Sequence, residues 1–233
     1  MNTNNIWLDP LYLEDILTEE ETAIKKTAKN YCTSHLLPRV IEDNRNHFFD
    51  KNIYKEFGSM GFLGPTINGY GSSNINKISY GLIAMEFESI DSSYRSALSV
   101  QSSLVIEPIY NFGSEEQKNI YLPELIKGNL VGCFGLTESE AGSDPSSMKT
   151  YFKEENDFYI INGIKTWITN APIADIFIIW ALDNNKNLKG FIIEKNTKGL
   201  STKKIINKAS LKISPTGTVI LDNVKVPKKN ILP

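Results

Sequence analysis

Cysteine is scarce in this sequence, and the two that occur stand far apart in the 233-residue chain, at Cys32 and Cys133. A pair so widely separated is a poor disulfide framework, so we expect buried free thiols and a reducing compartment. The N-terminal segment lacks the basic-then-apolar pattern of a secretion signal and is too acidic for a transit peptide. No apolar run is long enough to cross a membrane. These absences predict a cytoplasmic protein, or one of the mitochondrial matrix in a eukaryote.

An excess of charge of either sign is also missing, since 25 basic and 27 acidic residues leave a formal net charge of -2. No basic stripe with interleaved aromatic residues is present, which argues against a nucleic-acid or anionic-membrane partner. Arginine is rare, and Arg95 lies among small residues in the segment 91–96. Lysine replaces a guanidinium poorly at a carboxylate. Arg95 is therefore either a carboxylate ligand or an exposed loop residue.

Several catalytic motifs are absent, including the G-x-G-x-x-G fingerprint, the P-loop and the G-x-S-x-G nucleophile motif. His35 and His47 have no cysteine or acid at metal-ligand spacing, so no metal site is predicted. Two polar clusters remain besides Arg95. The segment 132–145 is rich in glycine and hydroxyl groups, and could contact a heterocycle or phosphate or form a surface turn. The segment 165–170 contains Trp167, which could flank a planar ring or fill the core.

The first half of the chain has helical periodicity. Capping boxes at Thr18 with Glu21 and at Ser114 with Gln117 predict the starts of two helices. Asp50 predicts the cap of another helix that ends near residue 61. Apolar spacing predicts two more helices, over 77–89 and 93–112. Short loops between amphipathic helices are typical of a bundle.

From Gly132 the pattern changes to short β segments. Asn162-Gly163 stands between the apolar runs 158–161 and 164–168, which predicts a hairpin with a tight turn. Further strands are predicted over 176–182, 190–194 and 216–226. We therefore predict an α+β chain, with an all-α helical bundle domain over 1–131 followed by an all-β barrel or sandwich domain over 132–233.

The polar clusters together resemble the acyl-CoA dehydrogenase family. The segment from Gly135 to Ser147 is similar to the signature of that family, and Trp167 to Asn170 stands where the family has its second flavin segment. The similarity runs from the motif at 7–10 to the C-terminal residues 230–233. Within the family, the sequence most resembles the glutaryl-CoA dehydrogenases. Four segments carry this likeness: 61–65, 92–96, 100–104 and 133–148.

This resemblance implies an enzyme that binds FAD and acts on an acyl-CoA substrate. In the family, a glutamate base removes the α-proton of the thioester while a β-hydride passes to the flavin. Glutaryl-CoA dehydrogenase also decarboxylates its product, giving crotonyl-CoA and carbon dioxide. The resemblance further implies a homotetramer that passes electrons to an electron-transfer flavoprotein.

The resemblance also implies roles for particular residues. The flavin-binding set is Phe134, Gly135, Leu136, Thr137, Gly142, Ser143, Trp167, Ile168 and Thr169. The substrate-binding set is Arg95, Ser96, Ser143 and Glu88, in which Arg95 and Ser96 would hold the distal carboxylate of glutaryl-CoA. The sequence departs from its relatives at Ser139-Glu140, where they have Pro-Asn, and at Lys212, where they have arginine.

The family continues beyond the middle domain into a C-terminal helical bundle, and its catalytic glutamate lies there. The sequence ends at Pro233, so the resemblance implies a truncated chain that lacks this bundle and is inactive alone. None of Glu86, Glu88 and Glu138 matches the position of the base, and no catalytic residue is predicted. Two alternatives stay open: a general acyl-CoA dehydrogenase for a monocarboxylic substrate, and a non-catalytic remnant that binds flavin or CoA.

Overall fold

The computed structural model describes residues 9–232, so the first two residues of the motif at 7–10 and Pro233 lie outside this range. Helices fill the first half of the chain. They are α1 (Glu19–Tyr31), α2 (Val40–Asn46), α3 (Ile53–Ser59), α4 (Lys77–Glu88), α5 (Ser92–Ser99), α6 (Glu107–Phe112) and α7 (Glu115–Ile126). Both predicted capping boxes are confirmed, because Thr18 and Ser114 each accept a hydrogen bond from the backbone of the third helical residue at 3.2 Å.

Two details of the helical half differ from the prediction. Asp50 does not cap α3: the helix begins three residues later, and the Asp50 carboxylate accepts from the backbone N–H of Asn52 at 3.0 Å. The helix predicted over 93–112 is one helical run, but a π-helical segment, Val100–Ile106, joins α5 to α6. The wider π turn faces the first strand.

Eight strands follow. They are β1 (Gly132–Gly135), β2 (Tyr151–Glu155), β3 (Phe158–Thr169), β4 (Ile176–Leu182), β5 (Leu188–Glu194), β6 (Leu200–Lys204), β7 (Thr216–Pro227) and β8 (Ile231–Leu232). Their order is β6-β7-β3-β2-β4-β5-β8, and β1 pairs with β4 in parallel. Helices followed by a sheet confirm the α+β prediction. Within residues 9–232 the end strands β6 and β8 do not pair, so the sheet is not closed into a barrel.

The predicted hairpin at Asn162-Gly163 is wrong. These residues lie inside the continuous strand β3, where the register against β7 shifts between Ile161 and Gly163. Gly163 has φ 153°, and a Cβ there would lie 2.7 Å from the Cα of Thr150. The glycine is needed for this bulge and close approach rather than for a turn. The hairpin turn instead follows β2, which antiparallel pairing joins to β3.

Strand β4 is buried on both faces and separates two cores. Ile176 and Ile178 belong to the core shared with the helices, whereas Phe177 and Ile179 belong to the core within the sheet. The helical half therefore packs directly on the sheet. A contact from the helices also holds the start of β1 in place. Cys32 and Cys133 are buried free thiols, as predicted. No helix of residues 9–232 combines the length and apolarity needed to cross a bilayer.

Candidate functional site

Gln101, in the π-helical segment, anchors the start of β1. Its side chain is fully buried, and its Nε2 donates to the carbonyls of Leu125 and Leu130 at 3.1 and 2.8 Å. Its Oε1 accepts from the backbone N–H of Gly132 at 2.9 Å. A Cβ on Gly132 would lie only 2.4 Å from Val105. Glycine is thus required where β1 touches the π segment, and the loop that follows β1 leaves from a fixed point.

That loop lies alongside β3. The backbone N–H of Thr166 donates to the carbonyl of Thr137 at 2.9 Å. This bond is available because the register of β3 against β7 shifts between Lys165 and Ile168, which turns the intervening residues away from the ladder. The two polar clusters predicted from the sequence are therefore brought together at one bulge.

A buried ion pair lies beneath the same contact. The side chain of Lys165 is fully buried, and its Nζ donates to Glu138 Oε1 at 2.9 Å and to the carbonyl of Leu136 at 3.0 Å. The other donors to Glu138 are the hydroxyl of Thr150 at 2.5 Å and the backbone N–H groups of Lys149 and Thr150 at 2.7 and 2.9 Å. Glu138 thus joins both ends of the loop to β3. Neither residue has a role predicted from the sequence, where the one available signal is the opposite charge of two residues within the segments that resemble the family.

The surroundings lower the pKa of both members of the pair, for different reasons. Burial disfavours the charged form of Glu138, but the hydrogen bonds from Thr150, Lys149 and Lys165 outweigh it and hold its pKa below the ordinary value. Burial lowers the pKa of Lys165, and the hydrogen bond and charge of Glu138 oppose that change. Glu138 is therefore a poor proton acceptor near neutral pH.

Trp167 stands at the bulge in an unusual conformation. It has φ 59°, in the left-handed region that bulky residues rarely adopt, and the residue is 61% exposed. Next to it is a cleft of about 450 Å³, lined on one side by Trp167 and Thr169 and on the other by residues 207–211. Ile168 points the opposite way and is buried. Strained, exposed residues of this kind cluster at functional sites.

The wall of the cleft opposite Trp167 is held by Lys208. Its ammonium donates to the carbonyls of Leu211 and Ser214, both at 2.6 Å, and to the hydroxyl of Thr216 at 2.9 Å. Lys212, the predicted departure, is half-buried in this loop. The other departure, Glu140, forms an exposed ion pair with Lys149.

The remaining residues predicted to bind flavin differ in accessibility. Phe134 is half-buried, with its ring 5.9 Å from that of Trp180. Gly135 is buried, and a Cβ there would lie 2.5 Å from Ile179. Gly142 and Ser143 are exposed, and no atom lies within 4 Å of a Cβ built on Gly142. The base of the loop is therefore packed, whereas its tip is open to a ligand.

The third cluster lies on the helices. Arg95 Nε donates to Glu88 Oε2 at 2.6 Å, and both side chains are partly exposed. Hydrogen bonds from Ser92 and Arg95 hold the pKa of Glu88 below its ordinary value. Ser96 is half-buried one residue further along α5. Within residues 9–232, no hydrogen bond links Arg95 or Ser96 to the loop after β1 or to the bulge of β3, so hydrogen bonding does not join this cluster to the other two.

Comparisons with known proteins agree with this architecture. The family described as the acyl-CoA dehydrogenase N-terminal domain matches residues 18–129, and the acyl-CoA dehydrogenase middle domain matches residues 133–224. Among solved structures, the chain is similar to a glutaryl-CoA dehydrogenase from Mycobacterium smegmatis in complex with FADH2. The TM-score is 0.95 at 39% identity, over 97% of this chain and 58% of that one.

Curated relatives point the same way. A probable acyl-CoA dehydrogenase of Bacillus subtilis (strain 168) is 36% identical over 98% of this chain and 39% of its own length. The mitochondrial isovaleryl-CoA dehydrogenase of Pongo abelii is 33% identical over 93% of this chain and 53% of its own length. The chain thus spans about half the length of the curated relatives it matches. Two family domains in succession over most of the sequence place this chain in the acyl-CoA dehydrogenase family.

Proposed function

We propose that this chain supplies the helical and flavin-facing parts of an FAD-dependent dehydrogenase that acts on glutaryl-CoA. The observation that supports the flavin role is the bond between Thr166 and Thr137, which joins the loop after β1 to the bulge carrying Trp167. This bond brings the hydroxyl-rich loop next to the segment that carries an exposed aromatic ring. This combination suits a planar, electron-rich heterocycle.

The residues present fit one side of a flavin. Trp167 is exposed beside a cleft of about 450 Å³, and Thr169 lines the same cleft. Thr137 is half-buried at the contact, and Gly142 leaves open space at the tip of the loop. We assign Trp167 to flank the ring, with Ile168 contributing only its backbone because its side chain is buried. Phe134 to Thr137 would line the ring, and Thr137 and Thr169 would donate hydrogen bonds to its polar edge. FAD, when bound, supplies a two-electron acceptor for the acyl group.

The proposed substrate specificity depends on Arg95. A distal carboxylate that loses its hydration on binding needs a paired cation that also donates hydrogen bonds. Glu88 occupies only the Nε of Arg95, and the terminal guanidinium nitrogens make no hydrogen bond within residues 9–232. Glu88 would thus orient the guanidinium while these nitrogens, with Ser96, bind the carboxylate of glutaryl-CoA. Ser143, exposed on the loop, would contact the thioester end.

We assign no general base within residues 9–232. Glu138 is held as a carboxylate by several donors, and Glu88 is paired with Arg95, so neither is poised to accept an α-proton. Loss of a general base removes about two to four orders of magnitude in rate. We therefore expect the chain by itself to bind ligands but not to turn them over. We also propose a homotetramer that passes electrons to an electron-transfer flavoprotein.

A monocarboxylic acyl-CoA is the second candidate substrate. The charge of Arg95 is already balanced by Glu88 at 2.6 Å, which reduces its attraction for a further carboxylate. One curated relative is an isovaleryl-CoA dehydrogenase, whose substrate has no distal carboxylate. A non-catalytic flavin- or CoA-binding role would share the flavin contacts but show no preference at Arg95.

The test begins with FAD added to the purified chain, followed by desalting and an absorption spectrum. A retained flavin band supports the flavin role, and a colourless protein contradicts it for this chain. Glutaryl-CoA and butyryl-CoA are then titrated against wild type, Arg95→Leu and the matched control Arg45→Leu, with calorimetry as the readout. Arg45 is exposed on α2, and its side chain makes no hydrogen bond or ion pair to Arg95, Ser96 or Glu88. A loss of glutaryl-CoA affinity in Arg95→Leu alone supports the dicarboxylate, and equal binding of both thioesters favours the monocarboxylic reading.

A further inference from the structure

The buried pair of Glu138 and Lys165 is not explained by packing alone. A lysine whose side chain is fully buried loses its hydration, and well-packed apolar residues would often stabilise a core as well. Its donors reach only one carboxylate oxygen, one backbone carbonyl and the sulfur of Met148, at 2.9, 3.0 and 3.5 Å. Each of these partners belongs to the segment between β1 and β2. The pair therefore acts on that segment.

The partners of Glu138 show how the segment is closed. Oε1 accepts from the backbone N–H and hydroxyl of Thr150, and Oε2 accepts from the backbone N–H of Lys149. At its other side, Glu138 exchanges two backbone hydrogen bonds of 3.2 Å with Ala141. One carboxylate thus links the entry of the loop, its turn and its exit. The exposed tip between them, at 142–147, has only local hydrogen bonds.

We propose that Glu138 and Lys165 are positioning residues that set the distance between the loop 136–150 and the bulge at Trp167. The inference deepens, and rests on, the proposed flavin role, because these two segments are the ones assigned to the ring. Lys165 is two residues from Trp167 along β3, and it holds the carbonyl of Leu136 next to the Thr137 contact. Both side chains are buried, so neither is accessible to a ring at the surface. They act through the backbone of the residues assigned to the ring.

The test compares Lys165→Met, Glu138→Gln and the double variant by hydrogen exchange and by FAD titration. Lys165→Met keeps the length of the buried side chain without its charge, and Glu138→Gln keeps the shape of the carboxylate. In the flavin-free protein, we expect amides of 137–150 to exchange about tenfold faster or more in either variant. Peptides from β4 and β5 should be unchanged. FAD dissociation constants should rise in parallel, with a non-additive double variant.

Two controls separate positioning from general stability. Thr150→Val removes one donor to Glu138 with little change in shape, so it should reproduce a smaller share of the loop effect even if a charge variant fails to fold. Lys149→Met removes only the exposed pair with Glu140 and should leave the loop unaffected. Faster exchange spread evenly over the whole protein, or an unchanged loop in all variants including Thr150→Val, would overturn the proposal.

The two proposals fail in different ways. If wild type binds no FAD but the loop still loosens in the variants, the flavin role fails and the positioning role stands. If wild type binds FAD, and the variants bind it within twofold of wild type with unaltered loop exchange, the positioning role fails alone. The absorption maximum and fine structure of bound flavin give an independent readout, since a displaced loop changes the ring environment without any turnover.

Discussion

Lys51 reaches across from the segment before α3 to Asp175, at the start of β4, with its Nζ 2.7 Å from both carboxylate oxygens. The same carboxylate accepts from the backbone N–H of Val131 at 2.9 Å. The Asp175 side chain therefore connects three parts of the molecule. It lies at the start of β4, binds Lys51 of the helical half, and binds Val131, the residue immediately before β1.

This arrangement predicts unequal effects of removing each partner. Asp175→Ala should lower the free energy of unfolding by about 2 kcal/mol, because it removes bonds to an ammonium and to a backbone N–H. Lys51→Met removes only a partly exposed ion pair and should cost about 1 kcal/mol or less. Urea denaturation measures both. Equal losses in the two variants would mean that the Val131 bond contributes nothing.

Two glycines should respond in opposite directions to the same substitution. Gly132→Ala should destabilise the protein by about 1–3 kcal/mol, because the new methyl group overlaps Val105. Gly81 lies in α4, and a Cβ built there has no atom within 4 Å. Gly81→Ala should therefore stabilise the protein by up to about 1 kcal/mol, because alanine favours a helix more than glycine does. Thermal unfolding of both variants tests the pair, and a neutral Gly132→Ala would contradict the close contact between β1 and the π segment.

The backbone conformation of Trp167 predicts that glycine will be more stable than alanine at this position, the reverse of the usual order. Both Trp167→Ala and Trp167→Gly remove the exposed ring, but only glycine adopts φ 59° without strain. The glycine variant should therefore be the more stable by about 1 kcal/mol, since a left-handed residue with a Cβ costs that much. Denaturation in the absence of flavin measures the difference. Greater stability of the alanine variant would show that the bulge relaxes once the ring is gone.

The buried carboxylate predicts a specific acid sensitivity. The pKa of Glu138 is below its ordinary value of 4.5 in the folded protein, so its contribution is complete above that pH. As the pH falls from 4.5 through the lower folded pKa, the unfolded chain takes up the proton first and stability is lost. Glu138→Gln should unfold more easily at pH 6 but lose less stability between pH 6 and 3. Urea midpoints across this range give the comparison.

Glu140→Gln is the matched control for that experiment, because its carboxylate is exposed and paired only with Lys149. The urea midpoint of Glu140→Gln should therefore fall with pH in nearly the same way as that of wild type. The midpoint of Glu138→Gln should depart from wild type much more. Identical pH profiles for wild type and Glu138→Gln would contradict the depressed pKa.

Local signals in the sequence were sufficient for much of the fold. Both capping boxes form because their side-chain and backbone partners lie within one turn of the chain. The Asn-Gly pair misled because a hairpin turn and a strand bulge both need a glycine, and the choice between them depends on Thr150 and on pairing with β7. Because these contacts join residues far apart in the sequence, the local sequence pattern does not reveal them.

The sequence was sufficient to predict which segments form the candidate site, but not which side chains pair beneath it. The loop 134–143 and Trp167 to Thr169 were identified by resemblance, and the structure places them side by side. The ion pair of Glu138 with Lys165 joins residues 27 positions apart, and its burial depends on the register shift in β3. The pairing of Arg95 with Glu88 across two helices likewise depends on how α4 and α5 meet.

The position of Gln101 bears on how the two halves can move. Its one amide group holds the end of the helical half at Leu125, the connection at Leu130 and the first strand at Gly132. A hinge between the helices and β1 therefore cannot open without breaking the buried bond to Gly132 and the partly buried bond to Leu130. Motion that admits a ligand is left to the tip of the loop at 142–147, and the helices and the sheet should behave as one rigid body during binding.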